Sequence, residues 1–162
     1  MYQLCDLYIL FYLHFVAGTS HNDEHTWSNM IDNPARRAWS GYAFEQVCFT
    51  HVPQLKQALG IAGILSNVCS WRSRNDDNKV QVDMVIDRRD QVINLCEMKY
   101  SLTPYEIKKD YYQHLIERQE QFRSETGTRK ALMLTMVTSS GIKQNAYSGS
   151  IPKVITLDDL FL

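Results

Sequence analysis

The chain reads as an α/β domain in which a mixed central sheet is flanked by helices. Three observations predict this. Residues V80-Q-V-D-M-V-I-D87 alternate with the period of two expected of a half-buried strand. The run Q91-V-I-N-L-C-E-M-K-Y100 is nearly apolar throughout, as a strand covered on both faces would be. Helical spacing over 34–59 and 103–124 supplies the layers that cover such a sheet. At 162 residues the chain suits one domain with a substantial core.

Taken in order, Leu4, Leu7, Tyr8, Phe11, Tyr12 and Phe15 recur at helical spacing, which predicts an amphipathic helix over 2–17. The run Leu4–Ala17 has the length of a signal-peptide core. It lacks a basic leader, Asp6 and His14 interrupt it, and it is too short and polar for a membrane span. No membrane association is expected. The start is abrupt, with no leader or cap, so a fragment of a longer protein or a lost upstream partner domain is expected. Residues 18–33 are polar and turn-rich and read as a loop with one helical turn. Asn33 and Pro34 have the cap and first-position chemistry of a helix start. That helix runs toward Leu59, Pro53 interrupts it, and Gly60 stops it.

Ile64–Trp71 is the first strand, 73–79 a turn, and the two runs described above form a hairpin around R88-R-D90. Thr103-Pro104-Tyr105-Glu106 is a capping-box pattern that should open a helix reaching about Ser124, with Ile107, Tyr111, Leu115 and Phe122 as its apolar stripe. Gly127-Thr128 ends it. Ala131–Val137 and Val154–Leu157 are the last strands, and Asp158 caps a final helical turn. The order is α-α-β-β-β-α-β-β.

Composition is ordinary for a globular protein, 44% hydrophobic and 22% charged, and the net charge of −1 argues against broad charge-driven binding of nucleic acid. Charge is concentrated in residues 71–130, which hold 12 of the 17 Lys and Arg and 11 of the 18 Asp and Glu. A polar site is sought there. The four cysteines have neither zinc-site nor disulfide-scaffold spacing; each sits among apolar residues, so buried free thiols and a cytoplasmic setting are expected.

Glu97 and Lys99, two apart on an apolar strand, share a face with Ile93 and Leu95, where charge is costly unless paired or ligated. A three-residue turn at 88–90 pairs 83 with 95 and makes Asp83 and Glu97 diagonal neighbours; a five-residue turn pairs them directly; an even-numbered turn separates them onto opposite faces. Two carboxylates converging with a Lys suit Mg²⁺ or Mn²⁺ together with water and a phosphate oxygen.

Asp83…Glu97-Met98-Lys99 resembles the D-x(n)-(D/E)-x-K signature of the PD-(D/E)XK nuclease superfamily, with Val82 in place of the Pro. Gly41-Tyr42-Ala43-Phe44-Glu45 resembles the G-x-x-F-E motif of its first core helix. More closely, W39-S-G-Y-A-F-E45, A58-L-G-I61, V82-D-M-V-I-D-R88 and L95-C-E-M-K99 resemble the C-terminal domain of archaeal-type AAA ATPases of prokaryotes. The resemblance implies a restriction-endonuclease-like α-β-β-β-α-β core over about 34–138. It implies a nuclease-like domain at 34–162, with the helix and loop at 1–33 leading from an upstream ATPase and winged-helix part. The chain has no Walker A pattern of its own. The resemblance further implies Asp83 and Glu97 as metal ligands, the Met98 carbonyl as a third, and Glu45 assisting from the helix. Lys99 would act as the base-like or phosphate-stabilising residue. Arg88, Lys108, Tyr111 and Gln113 are weaker candidates for substrate contact.

Plainer readings stand beside these. Glu97 and Lys99 also suit a solvent-facing ion pair on an edge strand, Glu45 a helix surface, and Arg88-Arg89 and Lys108-Lys109 solvated positions. His21 and His25 lie in a polar loop without a third ligand and read as surface, His14, His51 and His114 are isolated, and the three Trp read as core. The expected function is a Mg²⁺- or Mn²⁺-dependent DNA endonuclease. The alternative is a silent nuclease-like module that binds nucleic acid, or regulates or oligomerises an ATPase.

Overall fold

A computed structural model describes residues 6–18, 24–74 and 80–161. The part of the N-terminal helix assigned to residues 2–5, His21, and most of the 73–79 turn lie outside the described residues. The first helix is capped, contrary to the expectation of an uncapped start: Asp6 accepts from the Ile9 amide at the head of α1 (Leu7–Phe11), and a π-helical turn, Tyr12–Val16, continues it. The single turn expected in the following loop is α2 (Thr26–Asn29). Phe11 and Phe15 meet Trp27 and Trp39 edge to face, which ties this N-terminal part to the next helix.

Asn33 caps α3 (Pro34–Thr50) by accepting from the Ala35 amide at 2.8 Å. The helix breaks at His51, and α4 (Val52–Ala58) resumes with Pro53 in its first turn, where a missing N–H costs nothing. Gly60, with φ of 72°, ends the unit in a conformation that a side chain disfavours.

Five strands follow in sheet order β1-β2-β3-β4-β5: β1 (Ser66–Arg72), β2 (Gln81–Arg88), β3 (Val92–Lys99), β4 (Ala131–Thr138) and β5 (Lys153–Thr156). The first three pair antiparallel and the last two join in parallel, so the sheet is mixed and β3 is central, as its apolar run requires. The crossover from β3 to β4 is α5 (Lys109–Thr126), which Gly127 ends at φ 64°. Phe44, Cys48 and Leu55 of α3 and α4 bury one sheet face with Met84, Ile86, Cys96, Met98, Val137 and Ile155. Leu115 and Phe122 of α5 cover the other, against Val82, Val85, Ile93, Leu95 and Met136. Each such buried side chain contributes about 2 kcal/mol by leaving water. The result is the expected α/β architecture, with helices on both faces of a mixed sheet and the α-β-β-β-α-β order at its centre.

Four local expectations fail, each for a physical reason. The hairpin loop has five residues rather than three: the last pair is Asp87↔Ile93, and Gln91 adopts a left-handed conformation at φ 67° that cannot continue a ladder. The capping box at 103–106 opens no helix. Tyr105 bridges to Ile142, donating its amide to Gly141 and accepting from Lys143, so the segment is extended and α5 starts at Lys109. Asp158 is the first residue of a 3₁₀ turn rather than its cap, and Asp159 instead accepts from the Thr156 amide and hydroxyl. Cys69 is exposed, because β1 is an edge strand, whereas Cys48 and Cys96 are buried free thiols that burial pushes up to about 12; Cys5 is outside the described residues. Among the described residues no helix is long and apolar enough to cross a membrane.

Candidate active site

The site lies where β2 and β3 part. Between Cys69↔Val85 and Trp71↔Val82 the β1–β2 register shifts by one, so Asp83 and Met84 of β2 oppose Ser70 alone. This is a β-bulge, and it resets the alternation. Strict alternation predicts Val82 on the same face as Met84 and Ile86; instead Val82 packs with Val85 on the α5 side. The β2–β3 ladder ends at Met84↔Cys96. One residue beyond it, the Asp83 side chain takes over the role of a ladder carbonyl, its Oδ2 accepting the Met98 amide at 2.9 Å. The five-residue loop keeps 83 and 97 in the frame that the direct-pairing alternative required, and the bulge then turns Asp83 out of the ladder.

Glu97 sits on the central strand, not an edge, and only 5% of it is exposed. A carboxylate so buried needs partners. It has three: Oε1 accepts the Tyr111 hydroxyl at 2.7 Å and faces Lys99 Nζ at 2.9 Å, while Oε2 accepts from Arg118 at 2.5 Å. Burial raises the Glu97 carboxyl, but Lys99 and Arg118 outweigh it and the group ends below the usual carboxylate range. Burial likewise opposes the charges of Lys99 and Arg118, and Glu97 reverses that, holding both above their ordinary values. Lys99 Nζ also lies 5.4 Å from the Tyr111 ring centre, within cation–π range. The tyrosine hydroxyl is driven upward, first by burial and then by Glu97 beside it, and so remains a proton donor.

Asp83 has the opposite balance. Burial comes first and the Glu97 charge second, and together they raise its carboxyl to about 7 in spite of the Met98 amide. Glu45, on α3, is half-buried and also raised, mainly by burial; Lys99 lowers it and Glu97 raises it. It therefore belongs to the same electrostatic neighbourhood.

Asp83, Glu97 and Lys99 line one cavity of about 280 Å³ with Val80, Gln81, His114, Glu117 and Arg118. Glu45 does not line it. Met98 sends its side chain into the α3–α4 core and contributes its amide to Asp83. Tyr111 is in the site through Glu97. Arg88 is not: it holds Asp90 and Asn94 at the hairpin turn, five residues along β2, which is roughly 16 Å by strand rise. Lys108 and Gln113 are exposed on or before α5 and do not line the cavity. Arg118 is absent from the sequence reading, and His114, read there as isolated, lines the cavity. The signal was present, since 111, 114 and 118 fall on one helical face.

Among the described residues no group of three or more His, Cys, Asp or Glu side chains is placed to hold a metal ion. What the strands offer the cavity is a carboxylate pair, Asp83 and Glu97, while Glu117 of α5 lies beside His114. Among the described residues, Asp83 Oδ1 has no hydrogen bond and Glu97 Oε2 accepts from Arg118 alone. A pair of carboxylates fits Mg²⁺, which keeps several waters and takes one or two carboxylates with substrate phosphate oxygens. A second hollow of about 210 Å³ adjoins the end of β3, lined by Arg36, Arg37 and Ser40 of α3 and by Tyr100, Ser101 and Leu102.

No family model matches the chain, and no curated protein matches it. Among solved structures, the crystal structure of a protein of unknown function, AF1548, is similar at a TM-score of 0.48 and 13% identity, over 72% of this chain and 64% of that one.

Proposed function

We propose that the chain carries a Mg²⁺- or Mn²⁺-dependent phosphodiesterase site acting on DNA. The observation that carries the reading is the convergence of Asp83, Glu97 and Lys99 on one cavity, with Asp83 poorly compensated at the bulge. Asp83 and Glu97 would hold the ion, with Glu45 adding negative charge from α3. Such an ion supplies a water of lowered pKa and offsets charge at phosphorus. Lys99, kept cationic by Glu97, would orient a water or neutralise a phosphate oxygen. Tyr111 fixes the Glu97 carboxylate that Lys99 depends on. With a net charge of only −1, affinity for a polyanion rests on local cations, and Arg37, in the second hollow at the end of β3, is a candidate for a flanking phosphate.

The engagement of Glu97 by three donors supports a second reading, a nuclease-like module that binds without cutting. Exposed Tyr8 and Leu13 on the N-terminal helix fit a surface met by an upstream ATPase or winged-helix domain or by a second copy of the chain. Cleavage of supercoiled plasmid with Mn²⁺ by wild type, Asp83→Ala and Lys99→Ala separates the readings. The nuclease reading expects nicking by the wild type alone; equal behaviour of all three removes it.

A further inference from the structure

We infer that Arg118 is an internal, displaceable cation. It holds the Glu97 oxygen that a divalent ion needs, and an anionic phosphate group draws it away, so metal and phosphate bind this cavity cooperatively. The inference rests on the metal site proposed above and concerns what controls its occupancy. Each carboxylate oxygen has two lone-pair directions. On Glu97, Tyr111 and Lys99 use both of those on Oε1. Oε2 therefore provides the free direction, and Arg118 is already bonded to that atom at 2.5 Å. A divalent ion on the same oxygen would sit within a few ångströms of a guanidinium and be repelled by it, the more so in a half-buried setting.

Arg118 can yield. Its side chain is 29% exposed, against 7% for Glu97, and it borders the cavity with Asp83, Glu97 and Lys99. It projects from α5, a separate element from the strands that carry the carboxylates, so it can swing without disturbing Asp83 or Lys99. A guanidinium freed from Glu97 faces the space where a phosphate beside Lys99 would lie, and its planar donors suit phosphate oxygens. Without an anion, Arg118 and the metal oppose each other at Glu97. With one, both cations have a partner. By linkage, phosphate then raises metal affinity and metal raises phosphate affinity by the same factor.

The experiment is calorimetric titration of Mn²⁺ into the full chain, with and without saturating inorganic phosphate, for wild type and Arg118→Gln. Each variant is first checked by thermal melting. In wild type, phosphate should tighten Mn²⁺ binding roughly tenfold. In Arg118→Gln, Mn²⁺ should bind more tightly without phosphate than it does to wild type, and the phosphate effect should shrink to the part that Lys99 and the ion supply directly. Arg118→Lys retains a cation at this place and should keep part of the coupling, which guards against reading a folding defect as a loss of coupling. Mn²⁺ binding of unchanged or weaker affinity in Arg118→Gln would overturn the inference and leave the metal site standing. Absence of Mn²⁺ binding from all three proteins would instead overturn the metal site itself, and this inference with it.

Discussion

The β2–β3 hairpin carries charged groups at both ends and treats them in opposite ways. At the turn, Arg88 pairs with Asp90 and reaches Asn94, and Lys130 binds both Asp87 and the Arg88 carbonyl. Arg88 accordingly holds the Asp90 carboxyl below its usual range. At the open end, the strand carboxylates Asp83 and Glu97 lie on one cavity, and Lys99 and Arg118 both go to Glu97. Glu97 is lowered while Asp83 is raised to about 7. An end built only for stability matches its charges one to one. A partly buried carboxylate left short of partners, as Asp83 is, is a standing cost, and such groups concentrate at functional sites. The contrast also shows what the bulge does, since without it Asp83 would be an ordinary ladder residue.

The largest effect that can break this contrast is at Glu97. Glu97→Ala should bring phosphodiesterase activity to background and lower stability by about 2 kcal/mol, because Lys99 and Arg118 lose the charge between them. Urea melts beside plasmid assays would check both, and retention of either activity or stability contradicts the arrangement. Lys99→Ala should keep the fold and lose activity on the order of 100-fold.

Asp83 gives a pH-dependent test. Its folded pKa lies above its unfolded value, so the stability it contributes is complete below about pH 4 and is lost as pH rises through about 7. Asp83→Asn keeps an acceptor for the Met98 amide and removes the charge. In metal-free protein it should match wild type near pH 4 and melt a few degrees higher at pH 8, a gain of about 2 kcal/mol. Equal melting temperatures at pH 8 would mean that Asp83 carries no such burden. The smallest effect belongs to the turn: Arg88→Ala should cost about 1 kcal/mol and leave cleavage rates unchanged. A loss of activity there would erase the distinction between the two ends.

Much of this architecture is legible in the sequence. Alternation over 80–87, the apolar run of 91–100 and the Asn33-Pro34 start lead to β2, β3 and α3, and the fold class follows from them. The features that shape the site are less visible. Val82 and Met84 are both apolar, so alternation looks unbroken across a bulge that puts them on opposite faces. The loop length depends on Gln91, a residue type that gives no sign of a left-handed conformation. The capping box at 103–106 is sound local chemistry, overridden by the bridge from Tyr105 to Ile142. Arg118 escapes notice because its partner is on another element, 21 residues away in sequence. Asp83, Glu97 and Lys99 line one cavity, by way of a five-residue loop and a bulge rather than the three-residue turn expected, whereas Arg88 lies at the other end of the strand.

The central claim is that Asp83 and Glu97 together hold a divalent ion. Crystals of the protein soaked in Mn²⁺, with diffraction recorded at the manganese edge, test it most directly. The account predicts one anomalous peak between the two carboxylates, within about 2.3 Å of an oxygen from each, and no peak in crystals of Asp83→Asn. An empty cavity under saturating Mn²⁺, or a peak bound elsewhere with both carboxylates undisturbed, would contradict it.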